Sequence, residues 1–162
     1  MQNETSAKND LINELISFLT KGNAHVTFHS AVKNIPFDDL GKVPGNLPYS
    51  IWQITEHIRI AQKDILDFSA NTNYKELNWP DDYWPNETAP ENEAEWKKCL
   101  KEINDDLNAF IELLKSSEDV FKPFDHGSGQ NLAREAMLIA DHNSYHVGEI
   151  IVIRRMLDNW KS

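Results

Sequence analysis

The sequence is poor in cysteine, in basic residues and in long apolar runs. Its single cysteine, Cys99, cannot form an intramolecular disulfide. No apolar run approaches the roughly 18 residues of a membrane span, and residues 1–10 lack the basic and apolar regions of a signal peptide. With 16 Lys and Arg against 26 Asp and Glu, the formal net charge is −10, which repels phosphate backbones and anionic lipid. We therefore expect a cytoplasmic protein with neither nucleic acid nor membrane as a partner.

Apolar residues recur at helical spacing in four stretches, and no stretch alternates as a strand does. With 162 residues, the chain is large enough to bury roughly two-thirds of the surface that its unfolded form exposes. We expect one domain over residues 1–162, folded as an all-α four-helix bundle with long loops after the first and second helices. The periodicity leaves the order and direction of the helices open. The helices are expected to begin at Asp10, Ser50, Glu91 and Asn131.

Local signals set some of these boundaries. Ser50 and Gln53 match a capping box, and Asn131 suits the N-cap of the last helix. The apolar stripe of the first helix continues to Pro36, so His25 and His29 are expected on its inward side.

Two histidines of the last helix are the sharpest chemical signal in the chain. His142 and His146 are four residues apart, so both imidazoles can point at one metal ion. Chance gives about 0.2 such pairs in a chain of this composition, yet the sequence has two, the other being His25 and His29. A third ligand is needed for tight binding, and His57, on the apolar side of the second helix, is the candidate.

Three buried histidines can also exist without a metal, each with its own hydrogen-bond partner. Burying three imidazoles without partners costs several kcal/mol, however, and a bound metal turns that cost into stabilisation. Three neutral imidazoles leave coordination positions open, as catalytic metal sites do.

Two loops separate the later helices. Residues 71–91 contain Trp79, Tyr83 and Trp84 beside prolines, which indicates an ordered loop whose aromatic rings are buried by the bundle, a partner subunit or a ligand. His126, in the loop of residues 121–129, is expected to be solvated.

Three segments together resemble the DinB-like superfamily over nearly the whole chain: SIWQITEHIRIAQKDI at residues 50–65, the dipeptides Trp79-Pro80 and Trp84-Pro85, and DHNSYHVGE at residues 141–149. The resemblance implies an up-down-down-up bundle that binds a divalent metal, often nickel or zinc. Carried over residue by residue, the metal ligands fall on His57, His142 and His146. Glu149 stands where the family commonly has glutamine, so a carboxylate there could accept a proton, orient a water molecule or become a fourth ligand.

The resemblance also suggests two functions. The first is a metal-dependent transferase, isomerase or hydrolase that activates a thiol or water, with a small-molecule substrate such as a low-molecular-weight thiol. On this hypothesis Glu149, His29 and His25 are the candidates for moving protons. The second is a non-catalytic stress-response protein in which the metal is structural and a fourth protein ligand closes the site. The many aromatic residues also favour a homodimer.

Overall fold

The computed structural model describes residues 2–161, which contain five α-helices and no β-strand. The four long helices are α1 (Gln2–Thr20), α3 (Ile51–Ala70), α4 (Glu93–Ser116) and α5 (Leu132–Met156), and α2 (Phe28–Val32) is short. Single 3₁₀ turns, Phe37–Asp39 and Asp81–Tyr83, interrupt the two long connections that flank α3. Among the described residues, none of the helices combines the length and apolar character that crossing a membrane requires. The prediction of an all-α fold is confirmed for this part of the chain.

Side-chain caps fix the starts of the long helices α3, α4 and α5. The Ser50 hydroxyl accepts the Gln53 backbone N–H at 3.1 Å, and the Gln53 side chain accepts the Ser50 N–H at 3.1 Å, which confirms the capping box. The Asn131 side chain accepts the Arg134 N–H at 2.9 Å, as predicted. Asn92 caps α4, so this helix begins two residues after the predicted start.

The prediction of one continuous helix over residues 10–35 is wrong. The chain leaves α1 at Thr20 and turns at Gly22, whose carbonyl accepts the His25 N–H at 2.6 Å. A Cβ added at Gly22 would lie 1.9 Å from the His25 carbonyl oxygen, so only glycine fits this turn. Because the turn interrupts the helical period, His25 and His29 are exposed and the prediction that they face inward is wrong. Phe18 is also 62% exposed, although it lies on the predicted apolar stripe.

The core consists of two apolar clusters that α3 and α5 share. Ile54 and Ile58 of α3 lie in one cluster with Ile150 of α5, and Ile65 lies in the other with Ile139. Because the first half of α3 meets the second half of α5, these two helices run antiparallel. The up-down-down-up order of the whole chain and its single-domain organisation stay predictions. Between the two clusters the Asn143 side chain of α5 donates to the Gln62 side-chain oxygen of α3 at 3.0 Å, whereas His57 lies along α3 between Ile54 and Ile58, beside the first cluster.

Arg154 links the end of α5 to α2 and is expected to be important for stability. Its buried guanidinium donates from Nη1 to the Ala31 carbonyl at 2.6 Å and from Nη2 to the Asn159 carbonyl at 2.8 Å. We expect Arg154→Met to lower the free energy of unfolding by about 2–3 kcal/mol, because the buried Ala31 carbonyl loses its charged donor. Urea unfolding measures this change. The neighbouring exposed Arg155 supplies the control, since Arg155→Met is expected to change stability by less than about 0.5 kcal/mol; equal losses in both variants would contradict the role of Arg154.

Candidate metal centre

His57 of α3 and the pair His142 and His146 of α5 meet between the two helices. One ring nitrogen from each lies within 4.8 Å of the other two, and the Nε2 atoms of His57 and His142 are 3.0 Å apart. Nitrogen ligands on a tetrahedral zinc ion are about 3.3 Å apart, given bonds of about 2.0–2.1 Å. His57 and His146 are only 3% and 6% exposed, and His142 is half-buried. The three predicted ligands are therefore brought together in a donor set that fits a divalent transition metal.

The opposite ring nitrogens of His57 and His146 are held by acceptors. His57 Nδ1 donates to the Tyr83 carbonyl at 2.9 Å, and His146 Nδ1 donates to Glu149 Oε2 at 2.6 Å. Because a carbonyl and an ionised carboxylate only accept, the proton of each neutral ring lies on Nδ1 and Nε2 keeps its lone pair. Such partners fix the tautomer and the ring orientation of metal-binding histidines. Both rings thus present the free nitrogen to the centre.

Burial also favours the protonation state that a metal needs. Loss of hydration lowers the pKa of His57 and of His146 to about 4, and neighbouring imidazoles add to the effect. Burial lowers the pKa of His142 as well. All three are therefore neutral at pH 7, the form that donates a lone pair to a metal. Burial raises the pKa of Glu149, which brings this carboxylate closer to the range of a proton acceptor.

The loop before α4 covers one face of the centre. Trp84 stacks on the His57 ring with centroids 3.9 Å apart, and Tyr49 stacks on Trp84 at 3.8 Å. The loop is anchored by Asp64 of α3, which accepts the Tyr83 hydroxyl at 2.7 Å and the Tyr74 hydroxyl at 2.7 Å. The loop therefore supplies both the acceptor for His57 Nδ1 and the ring that packs on His57.

The expectation that the loop aromatics are buried holds for only part of the loop. Tyr83 and Trp84 are half-buried against the centre, whereas Trp79 is 70% exposed. The sequence did not reveal Asp64 as the anchor of this loop. Its position seven residues after His57, on the same face of the helix, was the available signal.

His25 and His29 lie outside the three-histidine group. His25 Nε2 is 2.9 Å from Ser144 Oγ, and its Nδ1 donates to the Val26 carbonyl at 2.8 Å. Both residues line a cleft of about 270 Å³ between the α1–α2 turn, α4 and α5, and among the described residues its lining includes none of the three central histidines. The role of His25 and His29 in proton transfer stays a prediction.

Three further residues have simple structural roles. Glu56 pairs with Arg59 at 2.8 Å, and its side chain is only 12% exposed, between α3 and Cys99 of α4. Cys99 is buried, and burial raises the pKa of its thiol, which keeps it unreactive. The prediction that His126 is solvated is wrong, because its Nε2 lies 2.8 Å from the Phe68 carbonyl and its ring packs on Phe124.

Glu149 is expected to control metal affinity through His146. Removing the carboxylate with Glu149→Ala should weaken metal binding about 10–100-fold, because the His146 ring loses the acceptor that orients it. Competition with a chromophoric chelator measures the affinity. In Glu149→Gln the amide oxygen still accepts from Nδ1, so this control should retain affinity within about threefold of the parent. Equal losses of metal affinity in both variants would contradict this role of the hydrogen bond and would show that the charge of Glu149 controls the affinity.

One protein-family model matches most of the chain. The family model for the DinB superfamily matches residues 23–150, a span that contains all three histidines and Glu149. Searches of curated proteins and of solved structures returned no significant match. The resemblance inferred from the sequence is confirmed.

Proposed function

The chain belongs to the DinB superfamily, and from this premise we propose that it is a divalent-metal-dependent enzyme that activates a thiol or a water molecule at His57, His142 and His146. Zinc and nickel are the proposed metals. The proposed substrate is a small molecule, and a low-molecular-weight thiol is either the substrate or the co-substrate. The reaction would be a transfer or isomerisation that uses the thiol, or a hydrolysis that uses water.

The observation that carries this proposal is the position of Glu149. Structural zinc sites are closed by four protein ligands, whereas catalytic sites use three and leave a position open. Among the described residues, the group that could hold a metal has three members, all histidines. The nearby carboxylate of Glu149 contacts the far side of His146, at Nδ1, and so supports a ligand without being part of the group. This arrangement favours a centre with room for a substrate atom.

The residues around the centre suit proton transfer. A divalent metal held by three imidazoles lowers the pKa of a thiol or a water molecule towards neutrality. Glu149 orients His146 through Oε2 and lies beside the Tyr145 hydroxyl, and its carboxylate is the group proposed to accept the released proton. Burial raises the pKa of Glu149 and makes it a better acceptor than an exposed carboxylate.

A structural metal is the second candidate. The three histidines come from α3 and α5, so one ion would link these two helices. Such a protein would act in a stress response without catalysis. It differs from the enzyme in one measurable property, the absence of an exchangeable coordination position.

Cobalt substitution tests for that open position. We expect the cobalt-loaded protein to bind 2-mercaptoethanol with a new thiolate-to-cobalt absorption band in the near ultraviolet that saturates at about one thiol per chain. Azide should change the visible cobalt bands in the same protein. His57→Ala is the control that removes a ligand and should remove both responses. A cobalt spectrum that neither thiol nor azide alters would contradict the enzyme and favour the structural role.

A further inference from the structure

Two amide side chains meet between α3 and α5, and the proposed function does not use them. Asn143, the residue after His142, donates from Nδ2 to Gln62 Oε1 at 3.0 Å. Gln62 is only 1% exposed, and its Nε2 donates to the Ile103 carbonyl of α4 at 2.6 Å. Replacing two bonded polar groups with apolar groups of the same shape costs little or no stability. The stability of the bundle therefore gives no reason for a pair of amides at this place.

The Ile103 carbonyl fixes the direction of both amides. Because a carbonyl only accepts, Gln62 must turn its NH₂ group towards α4 and its oxygen towards α5. Because the Gln62 oxygen only accepts as well, Asn143 must present its own NH₂ group to Gln62. The remaining polar atom, Asn143 Oδ1, makes a long hydrogen bond of 3.4 Å with Nδ1 of the neighbouring His142 ring. The hydrogen bonds that start at α4 therefore end in an acceptor beside the third histidine.

Asn143 gives His142 the kind of partner that the other two histidines have. Nδ1 of His57 donates to a backbone carbonyl, and Nδ1 of His146 donates to a carboxylate. Among the described residues, Asn143 is the one hydrogen-bond partner of His142 Nδ1. An acceptor at Nδ1 favours the tautomer in which Nε2 is free to bind a metal. With Asn143 in this role, all three rings can present Nε2 to the centre.

Without a metal, the proton of the His142 ring has a competing acceptor. The proton of the His57 ring is on Nδ1, so His57 Nε2 carries a lone pair, and it lies 3.0 Å from His142 Nε2. A neutral His142 ring therefore donates from Nε2 to His57 in that state. When Nε2 binds a metal, the proton of the neutral ring must instead be on Nδ1, which faces Asn143 Oδ1. The hydrogen bond to Asn143 thus stabilises the metal-bound form of His142 relative to the metal-free form.

Building on the metal centre of the proposed function, we propose that Asn143 and Gln62 are positioning residues for the third metal ligand. Asn143 accepts the Nδ1 proton that metal-bound His142 carries. Gln62 holds Asn143 in the orientation in which its oxygen, and not its NH₂ group, faces that proton. Gln62 therefore raises the metal affinity through Asn143, although it contacts neither the metal nor a ligand.

Three variants and a control separate positioning from a general effect on stability. Asn143→Leu removes the acceptor for His142, and Gln62→Met removes the group that orients Asn143; both changes keep the side chain at about its original size. The third variant combines the two substitutions. Thr55→Val is the matched control on α3, because it removes a buried side-chain hydrogen bond, from Thr55 Oγ1 to the Ile51 carbonyl at 2.8 Å, that has no part in the chain of amides.

Competition with a chromophoric chelator measures the zinc affinity of the parent and of each variant. Asn143→Leu should weaken zinc binding about 10–100-fold and Gln62→Met about 3–10-fold, while Thr55→Val should stay within about twofold of the parent. The double variant should match Asn143→Leu within about twofold, because Gln62 acts through Asn143. Unchanged affinity in either single variant, or losses that multiply in the double variant, would overturn the proposal.

Nuclear magnetic resonance of the zinc-loaded protein measures the hydrogen bond of His142 itself. The Nδ1 proton of this ring should exchange with water at least about tenfold faster in Asn143→Leu and Gln62→Met than in the parent and in Thr55→Val. Equally fast exchange in the parent and in Asn143→Leu would overturn the positioning role.

The zinc affinities and the proton exchange do not depend on an open coordination position. A cobalt-loaded protein that responds to neither thiol nor azide, together with the expected zinc affinities, would therefore contradict the enzyme and support the positioning role. A parent protein that binds no zinc would overturn both.

Discussion

Replacing His57 or His146 with alanine is expected to reduce bound zinc or nickel from one ion per chain to less than about 0.1 after dialysis. Each variant removes one of three converging nitrogens, and two imidazoles hold a transition metal at least about 100-fold more weakly. Elemental analysis of protein purified without an affinity tag measures the content. In the parent, metal at 100 times its dissociation constant should also raise the free energy of unfolding by about 3 kcal/mol, an increase that both variants should lose.

His126→Ala is the matched control for these variants. His126 is also a half-buried histidine in contact with aromatic rings, but it lies in the loop that precedes α5. The His126→Ala variant should therefore keep a metal content of one ion per chain. Retention of metal in His57→Ala or His146→Ala, or loss in His126→Ala, would contradict the assignment of the ligands.

Without metal, the protein is expected to lose stability as the pH falls from about 6.5 towards 4. In the unfolded chain a histidine takes up a proton near its ordinary pKa of about 6.5, whereas burial holds the pKa of His57 and of His146 at about 4 in the folded protein. Between these values the unfolded state binds more protons, so the free energy of unfolding falls as the pH decreases. The two histidines together should account for a loss of about 2–4 kcal/mol between pH 7 and pH 5.

Urea unfolding in the presence of a chelator, at pH 7 and at pH 5, measures this loss. The double variant His57→Gln and His146→Gln is the control, because glutamine hydrogen-bonds but does not titrate. Its loss over the same interval should be smaller by about 2–4 kcal/mol. A parent and a double variant with the same pH dependence would show that the two imidazoles are not held neutral by burial.

Features that depend on neighbouring residues were predictable from the sequence. The capping box at Ser50 and the cap at Asn131 require only the few residues of one helical turn. The convergence of His142 and His146 follows from a spacing of four on one helix. His57 could be predicted as the third ligand because its helix is amphipathic and places this residue on the apolar side. These local rules, together with the family resemblance, were enough to predict which three histidines meet.

Features that depend on the chain reversing or folding back were not predictable. The apolar period of α1 runs on into residues 21–35, and Gly22 within it indicated a close approach or a local bend but not the end of the helix at Thr20. The break depends on the close approach of Gly22 to the His25 carbonyl, which is a property of the turn and not of the periodicity. The acceptor for His57 is the backbone carbonyl of Tyr83, an atom that every residue has, so no side-chain pattern could identify it.

Both the sequence and the structure were needed to assign a role to Glu149. Its spacing of three from His146 places it on the same face of α5, and the sequence left three roles open: accepting a proton, orienting a water molecule or becoming a fourth ligand. The 2.6 Å hydrogen bond to His146 Nδ1 adds a role that the sequence did not suggest, the orientation of a ligand, and favours a centre of three protein ligands.

The most direct test of a three-histidine centre with an open position is X-ray absorption spectroscopy of the zinc-loaded protein. We predict three imidazole nitrogens at about 2.0–2.1 Å and one further light atom that 2-mercaptoethanol replaces with a sulfur at about 2.3 Å. A shell with fewer than three imidazoles would contradict the assignment of the ligands. A fourth protein ligand that no thiol displaces would contradict the open position and leave a structural metal.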